Sequence, residues 1–153
     1  MFAGEFAIKL DEKNRLVLPA KFRIFLTRPE DREGIFVVVN PSGQERCLRL
    51  YTRREYRKIA EHLMRTADRA AVPAEFLRIF ASRSEFAPLD KQFRFVVPQK
   101  LAEFAGLSRD VLMIGATEWI EVWNPKEWSA QGERAQAKYA DLMPRALWRS
   151  RGD

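Results

Sequence analysis

Histidine and cysteine are almost missing from this 153-residue chain, each occurring once, as His62 and Cys47. One of each cannot supply the four ligands of a structural zinc site, and His62 falls between the apolar positions of a helical pattern, facing solvent with no Cys or Ser partner in view. A lone cysteine excludes an internal disulfide. The start, Met1-Phe2-Ala3-Gly4-Glu5-Phe6, also lacks the basic and apolar regions of a secretion signal, so both features point to the cytoplasm. Cys47 precedes the strand-like Leu48-Arg49-Leu50, where a buried, inert thiol is expected. The seven glycines form neither G-x-x-x-x-G-K nor G-x-G-x-x-G, which removes the common phosphate-cradling loops. Apolar runs such as Ile35 to Val39 fall far short of the ~18 residues a membrane span needs. The carboxylates are scattered among bases. Together these absences argue against an enzyme and predict no cofactor, metal, membrane or small-molecule substrate.

Basic charge is present in excess. The net charge is +6, and the excess is uneven: residues 1–69 carry 15 Lys and Arg against 10 acids, and residues 70–153 carry 12 against 11. An anionic partner is implied, with the first half as the stronger contact surface and with binding that weakens steeply in salt.

The chain also repeats itself. Leu10-Asp11-Glu12-Lys13-Asn14-Arg15-Leu16-Val17-Leu18-Pro19-Ala20-Lys21 returns 79 residues later as Leu89-Asp90-Lys91-Gln92-Phe93-Arg94-Phe95-Val96-Val97-Pro98-Gln99-Lys100, identical at six positions. Further on, Ile35 to Val39 is echoed at an offset of 76 by Val111 to Gly115, and Leu48 to Tyr56 at an offset of 72 by Ile120 to Trp128. The shrinking offset places the extra residues of the first copy in its polar connections, Thr27 to Gly34 and Asn40 to Arg46, because loops absorb insertions and strands do not. Units of about 70 residues are marginal alone, so they must pack on each other or on other subunits.

Each copy reads as strand, turn, strand and short helix, then a hairpin and a longer helix. Phe6, Ile8 and Leu10 alternate as in a half-buried strand. Asp11 to Asn14 breaks the pattern as a tight turn, and Pro19 opens a short helix from Ala20 to Leu26. Ile35 to Val39 and Cys47 to Tyr51 form the hairpin around Asn40-Pro41-Ser42-Gly43. Thr52 and Glu55 have the spacing of a capping box ahead of an apolar face made by Tyr56, Ile59, Ala60, Leu63, Met64 and Ala67. Pro73 to Phe80 is apolar on most sides, which predicts a helix buried between units or subunits. Ala105-Gly106 stops the short helix of the second copy, and Asn124-Pro125 with Glu127 starts its last helix, whose pattern Gly132 interrupts. The fold class is α+β. Its expected divisions are 1–69 as first repeat, 70–83 as connecting helix, 84–140 as second repeat and 141–153 as a basic tail carrying Arg145, Arg149 and Arg151.

The repeated Asp-x-x-x-Arg is the feature with chemistry in it. As a lone surface ion pair across a turn it would be worth ~0 to 1 kcal/mol, but it occurs twice in register. Asp11 and Asp90 can pin the turn through their own backbone, so that Lys13, Asn14 and Arg15 in one copy, and Lys91 and Arg94 in the other, project in a fixed geometry. Arg offers the planar fork that suits phosphate or the O6 and N7 edge of guanine, and Asn pairs with adenine or phosphate. Lys21 and Arg23, with Lys100 in the second copy, follow on the short helices as phosphate anchors.

These residues resemble the MraZ family, whose halves each resemble the AbrB-type swapped-hairpin DNA-binding fold. The resemblance rests on Met1-Phe2-x-Gly4-Glu5, on Leu10-Asp11-x-Lys13-x-Arg15-Leu16-x-Leu18-Pro19-Ala20-Lys21-Phe22-Arg23, and on Leu89-Asp90-x-Gln92-x-Arg94-x-x-x-Pro98. Ala105-Gly106-Leu107, Ile120-Glu121-Val122-Trp123 and Trp128 add to it, so that it spans about residues 1–140. It implies a nucleoid-associated repressor of the division and cell wall gene cluster, built as a ring-shaped homo-oligomer that presents Asp-x-x-x-Arg loops to repeated sites in double-stranded promoter DNA. In that family the motif arginine is the main DNA contact, which here is Arg15 and then Arg94. The family places Gly before that arginine, where this chain has Asn14 and Phe93. Asn tolerates a positive φ, but Phe does so rarely, which predicts a rearranged second loop and a second copy that is mainly structural. A ring-forming assembly protein with only non-specific DNA affinity is the alternative. A third reading is an antitoxin-like relative that binds a partner protein through residues 144–153.

Overall fold

A computed structural model of the chain describes residues 1–69 and 73–149. Its strands are β1 (Phe2–Lys9), β2 (Arg15–Val17), β3 (Gly34–Val39), β4 (Leu48–Tyr51), β5 (Ser84–Pro88), β6 (Arg94–Val96), β7 (Asp110–Thr117) and β8 (Ile120–Trp123). Its helices are α1 (Ala20–Arg23), α2 (Pro29–Glu33), α3 (Arg53–Asp68), α4 (Ala74–Ser82), α5 (Gln99–Phe104) and α6 (Pro125–Arg149). The α+β class and the two-repeat plan hold.

The repeats exchange their first strands. One six-stranded antiparallel sheet runs β1-β7-β8-β4-β3-β5, and β2 pairs with β6 in a separate two-stranded ribbon. Exchanging the repeats, β1 for β5, β3 for β7 and β4 for β8, gives the same order reversed, which is a pseudo-two-fold axis between β4 and β8. The register agrees: Ile8 faces Val111 on one side and Ala87 faces Ile35 on the other, which are equivalent pairs under the sequence offsets. Around this frame Leu16, Leu18, Phe22, Val37, Leu48, Phe95, Val97, Met113 and Val122, from both repeats, are buried in one core.

The axis itself carries an ion pair. Arg49 and Glu121 hold the same repeat position and face each other across β4 and β8, with Nε to Oε1 at 3.7 Å. The guanidinium also lies 4.4 Å from the ring centre of Trp119. A symmetric dimer of either repeat alone would oppose Arg49 to Arg49 or Glu121 to Glu121, and like charges directly opposite each other destabilise a sheet.

Local signals explain most element ends. Thr52 Oγ1 accepts the Glu55 amide at 3.3 Å. Asn124 Oδ1 accepts the Lys126 amide at 2.9 Å while its Nδ2 donates to the Gly106 carbonyl at 2.7 Å. Gly106 takes φ 61° at the end of α5, a conformation that favours glycine. Cys47 is fully buried, and burial pushes its thiol up to about 12.

Several expectations need correction. Thr27 to Gly34 is not a plain loop but holds α2, started by Pro29 with Asp31 Oδ2 accepting the Arg28 amide at 3.3 Å. Gly132 does not interrupt the last helix, which runs unbroken through it and through Pro144. The basic tail is therefore helical as far as Arg149, and Arg145 pairs with Asp141 one turn earlier at 3.2 Å; residues 150–153, with Arg151, lie outside the described residues, as do 70–72 of the connecting segment. Nor is α4 buried between the two repeats. It packs on α3 through Phe80 and Tyr56, 5.6 Å apart, and leaves Phe76 and Ile79 exposed.

The exchanged strands and the charge pair predict that fragments 1–72 and 73–153 form a 1:1 complex with cooperative unfolding when refolded together, whereas neither alone gives a folded monomer or an equally stable homodimer. Light scattering and thermal circular dichroism check this; a folded monomeric fragment contradicts it.

Candidate nucleic-acid interface

Both Asp-x-x-x-Arg turns are closed in the same way. Asp11 Oδ1 accepts the amides of Lys13 at 2.9 Å and Arg15 at 2.8 Å, and Oδ2 accepts Arg15 Nε at 2.7 Å. In the second turn Asp90 Oδ1 accepts the amides of Gln92 at 2.8 Å and Arg94 at 2.9 Å, and Oδ2 accepts Arg94 Nε at 2.8 Å. The amides of Arg15 and Arg94, ahead of their guanidinium groups and the other turn amides, hold the two carboxyls below the usual 3.8. A carboxylate that accepts several donors is favoured in its charged form. Each arginine side chain is thus held at Nε, and neither guanidinium has another hydrogen-bond partner among the described residues, so the Nη groups remain available.

The residue before each arginine is left-handed: Asn14 has φ 55° and Phe93 φ 58°. The second loop is therefore not rearranged. A left-handed conformation costs a non-glycine residue about 1–2 kcal/mol, and Phe93 offsets it by packing. Its ring lies against the core and under the Arg23 guanidinium, 4.8 Å from the ring centre. Such a contact is worth roughly 0.5–1 kcal/mol at an exposed site.

The ribbon joins the loops into one surface. Arg15 faces Val96, Leu16 faces Phe95 and Val17 faces Arg94. Leu16 and Phe95 point into the core and are buried, so Arg15, Val17, Arg94 and Val96 share the outward face, as strand alternation requires. Two residues of rise and one strand spacing put the Cα atoms of the two arginines on the order of 8 Å apart. Beyond the ribbon, the Val97 amide donates to the Asn14 carbonyl at 2.7 Å and the Leu18 amide to the Phe93 carbonyl at 2.9 Å, so each loop is tied to the other repeat.

The family model described as "MraZ protein, putative antitoxin-like" matches the chain twice, over residues 1–79 and 80–149. The chain belongs to the MraZ family. It is 37% identical over 147 residues to a protein of Tropheryma whipplei named transcriptional regulator MraZ, spanning 96% of this chain and 97% of that one. Proteins of the same name from Micrococcus luteus, 37% identical over 149 residues, and Frankia casuarinae, 37% identical over 147, cover 94% and 96% of this chain and 98% and 97% of their own lengths.

The other residues expected at the site divide into two groups. Lys13, Lys91, Lys21 and Lys100 are exposed, with Lys21 Nζ 5.9 Å from the centre of the Phe6 ring. Arg23 is more committed: its Nε donates to the Leu18 carbonyl at 2.9 Å while its plane covers Phe93, so this arginine of the first repeat braces the second loop. Two further basic residues escape the sequence pattern. Lys9 and Arg109 line an open groove with Asp11 to Arg15, brought there because the Leu10 amide donates to the Arg109 carbonyl at 2.8 Å; Lys9 also pairs with Asp110. Arg109 is remote in sequence, and only the strand exchange places it. At the equivalent place beside the second loop, the Leu89 amide donates to the carbonyl of Glu33. Glu33 is itself paired with Arg53 at 3.3 Å, and Arg23 lies over Phe93 beside the second loop.

The strain at Phe93 gives an ordered prediction. Phe93→Ala loses the packing and keeps the left-handed cost, whereas Phe93→Gly loses only the packing. Urea unfolding should find the glycine variant about 1 kcal/mol the more stable of the two; equal stabilities would show that the loop carries no such strain.

Proposed function

We propose that this protein is a DNA-binding transcriptional regulator, a repressor, and that the β2–β6 ribbon is its reading surface. The observation that carries the proposal is the pair of arginines on one outward face, each fixed at Nε by its own aspartate with the far end of the fork free. A two-stranded ribbon is narrow enough to enter the major groove, where an arginine fork pairs with the O6 and N7 atoms of guanine. Lys13, Lys91, Lys21 and Lys100 flank the ribbon as phosphate contacts that fix register without carrying sequence information. The relatives' shared name supports a regulatory rather than a catalytic role.

A ring-shaped homo-oligomer acting on repeated promoter sites belongs to the same proposal. Its support is the apolar surface left open on α3 and α4, at Met64, Phe76 and Ile79, together with the pseudo-symmetric chain: a head-to-tail contact between repeats of successive copies closes into a ring when the rotation allows. Linking many ribbons in this way multiplies the affinity of weak individual sites. The division and cell wall gene cluster is the proposed target on family resemblance. Of the two loops, the first is the stronger contact, as Arg109 and the charge balance of residues 1–69 favour. The assembly-protein alternative rests on a loss of loop geometry at Asn14 and Phe93, and both residues take the left-handed φ that the turn needs.

The test is fluorescence anisotropy against the protein's own upstream DNA and a scrambled duplex near physiological salt. Arg15→Ala should weaken specific binding by about ten- to a hundred-fold, the value of a bidentate base contact of roughly 1–3 kcal/mol, with Arg94→Ala weakening it less. Binding to the scrambled duplex should change little. Promoter affinity unchanged in both variants would contradict the proposal.

A further inference from the structure

Five of the six positions identical between the two copies of the motif have separate reasons to be so, and the sixth is a pair of valines on the outward face of the ribbon. Leu10 and Leu89 pack against the core, Asp11 and Asp90 pin the turns, Arg15 and Arg94 are presented by them, Pro19 and Pro98 precede the short helices, and Lys21 and Lys100 add charge beside the ribbon. Val17 and Val96 face outward, Val17 half-buried and Val96 exposed. Val96 is 53% exposed between Phe95 and Val97, each 1% exposed, so the core does not ask for a valine there. A β-branched residue suits a strand, but Thr would suit it equally and would cost nothing in contact with water.

The ribbon register gives these valines a place relative to the arginines. Val96 is directly across from Arg15, and Val17 directly across from Arg94; side chains opposed in this way have Cβ atoms roughly 4.5–5.5 Å apart. The outward face thus consists of two Arg–Val pairs related by the pseudo-two-fold axis. We propose that Val17 and Val96 are specificity-determining residues whose methyl groups contact the 5-methyl group of thymine, next to the base edge taken by the arginine across the ribbon. The inference rests on the DNA-binding reading and deepens it: the preferred duplex has a thymine adjacent to a guanine at each ribbon contact. In the major groove the 5-methyl group belongs to thymine alone among the four bases, and apolar side chains are what distinguish it.

Deoxyuridine removes that methyl group and leaves the pairing edge unchanged. The full-length protein is titrated by anisotropy against its own upstream promoter duplex, against the same duplex with deoxyuridine for every thymidine, and against a scrambled thymidine duplex. The unmodified protein should bind the deoxyuridine duplex about four-fold more weakly for each thymine methyl group that a valine covers, the transfer free energy of one buried methylene. In Val17→Ala/Val96→Ala that penalty should disappear, while preference for the promoter over the scrambled duplex persists through the arginines. Unchanged affinity of the double variant for the scrambled duplex shows that it is folded and carries its charge. A deoxyuridine penalty absent from the unmodified protein, or fully retained in the double variant, overturns the role of the valines with the DNA reading intact. No preference for promoter over scrambled duplex in the unmodified protein overturns both.

Discussion

Two backbone hydrogen bonds outside any long strand hold the site together. Val97 N–H to Asn14 O and Leu18 N–H to Phe93 O fasten each Asp-x-x-x-Arg turn to the strand leaving the other. The left-handed residue of each turn supplies the carbonyl, so the unusual φ at Asn14 and Phe93 is what aims the acceptor across the repeats. Without these bonds the three-residue strands β2 and β6 would have little to fix their pairing, since short isolated ribbons are marginal in water. With them, Leu16 and Phe95 are driven inward and Arg15 and Arg94 outward.

The same exchange of segments makes the two repeats one body while letting them differ. Where the repeats must meet, their residues are complementary rather than identical: Arg49 meets Glu121 on the axis, and Arg23 of the first repeat covers Phe93 of the second. Beside the loops they diverge in residue, with Arg109 near the first and the Glu33–Arg53 pair near the second. A fused pair of repeats can thus carry two unlike loops on one frame, which a symmetric dimer of identical repeats cannot.

Much of this is legible in the sequence because it is written in local chemistry. The Asp11 and Asp90 turns, the Thr52 and Asn124 caps, the Gly106 helix stop and the buried Cys47 each follow from residue type at a known spacing. The offsets of 79, 76 and 72 match the register of the exchanged strands. What escapes is non-local. Phe93 looks incompatible with the turn because its compensation, the Arg23 guanidinium, comes from the other repeat. Arg109 and Lys9 are invisible as groove residues until β1 is paired with β7. The last helix reads as interrupted because Gly132 weakens local propensity, although glycine costs only about 1 kcal/mol within a helix.

The central claim is that the two arginine loops are held as one unit by cross-repeat bonds, and amide hydrogen exchange on the intact protein tests it most directly. Amides that open only with global unfolding share the protection of the core, whereas those of independent loops exchange by local opening. The account predicts that the Leu18 and Val97 amides are protected to the same degree as those of Val37 and Met113 in the central sheet. Fast exchange at Leu18 and Val97 with the sheet still protected would mean that the loops move independently, and the two-arginine surface would not exist as a fixed object.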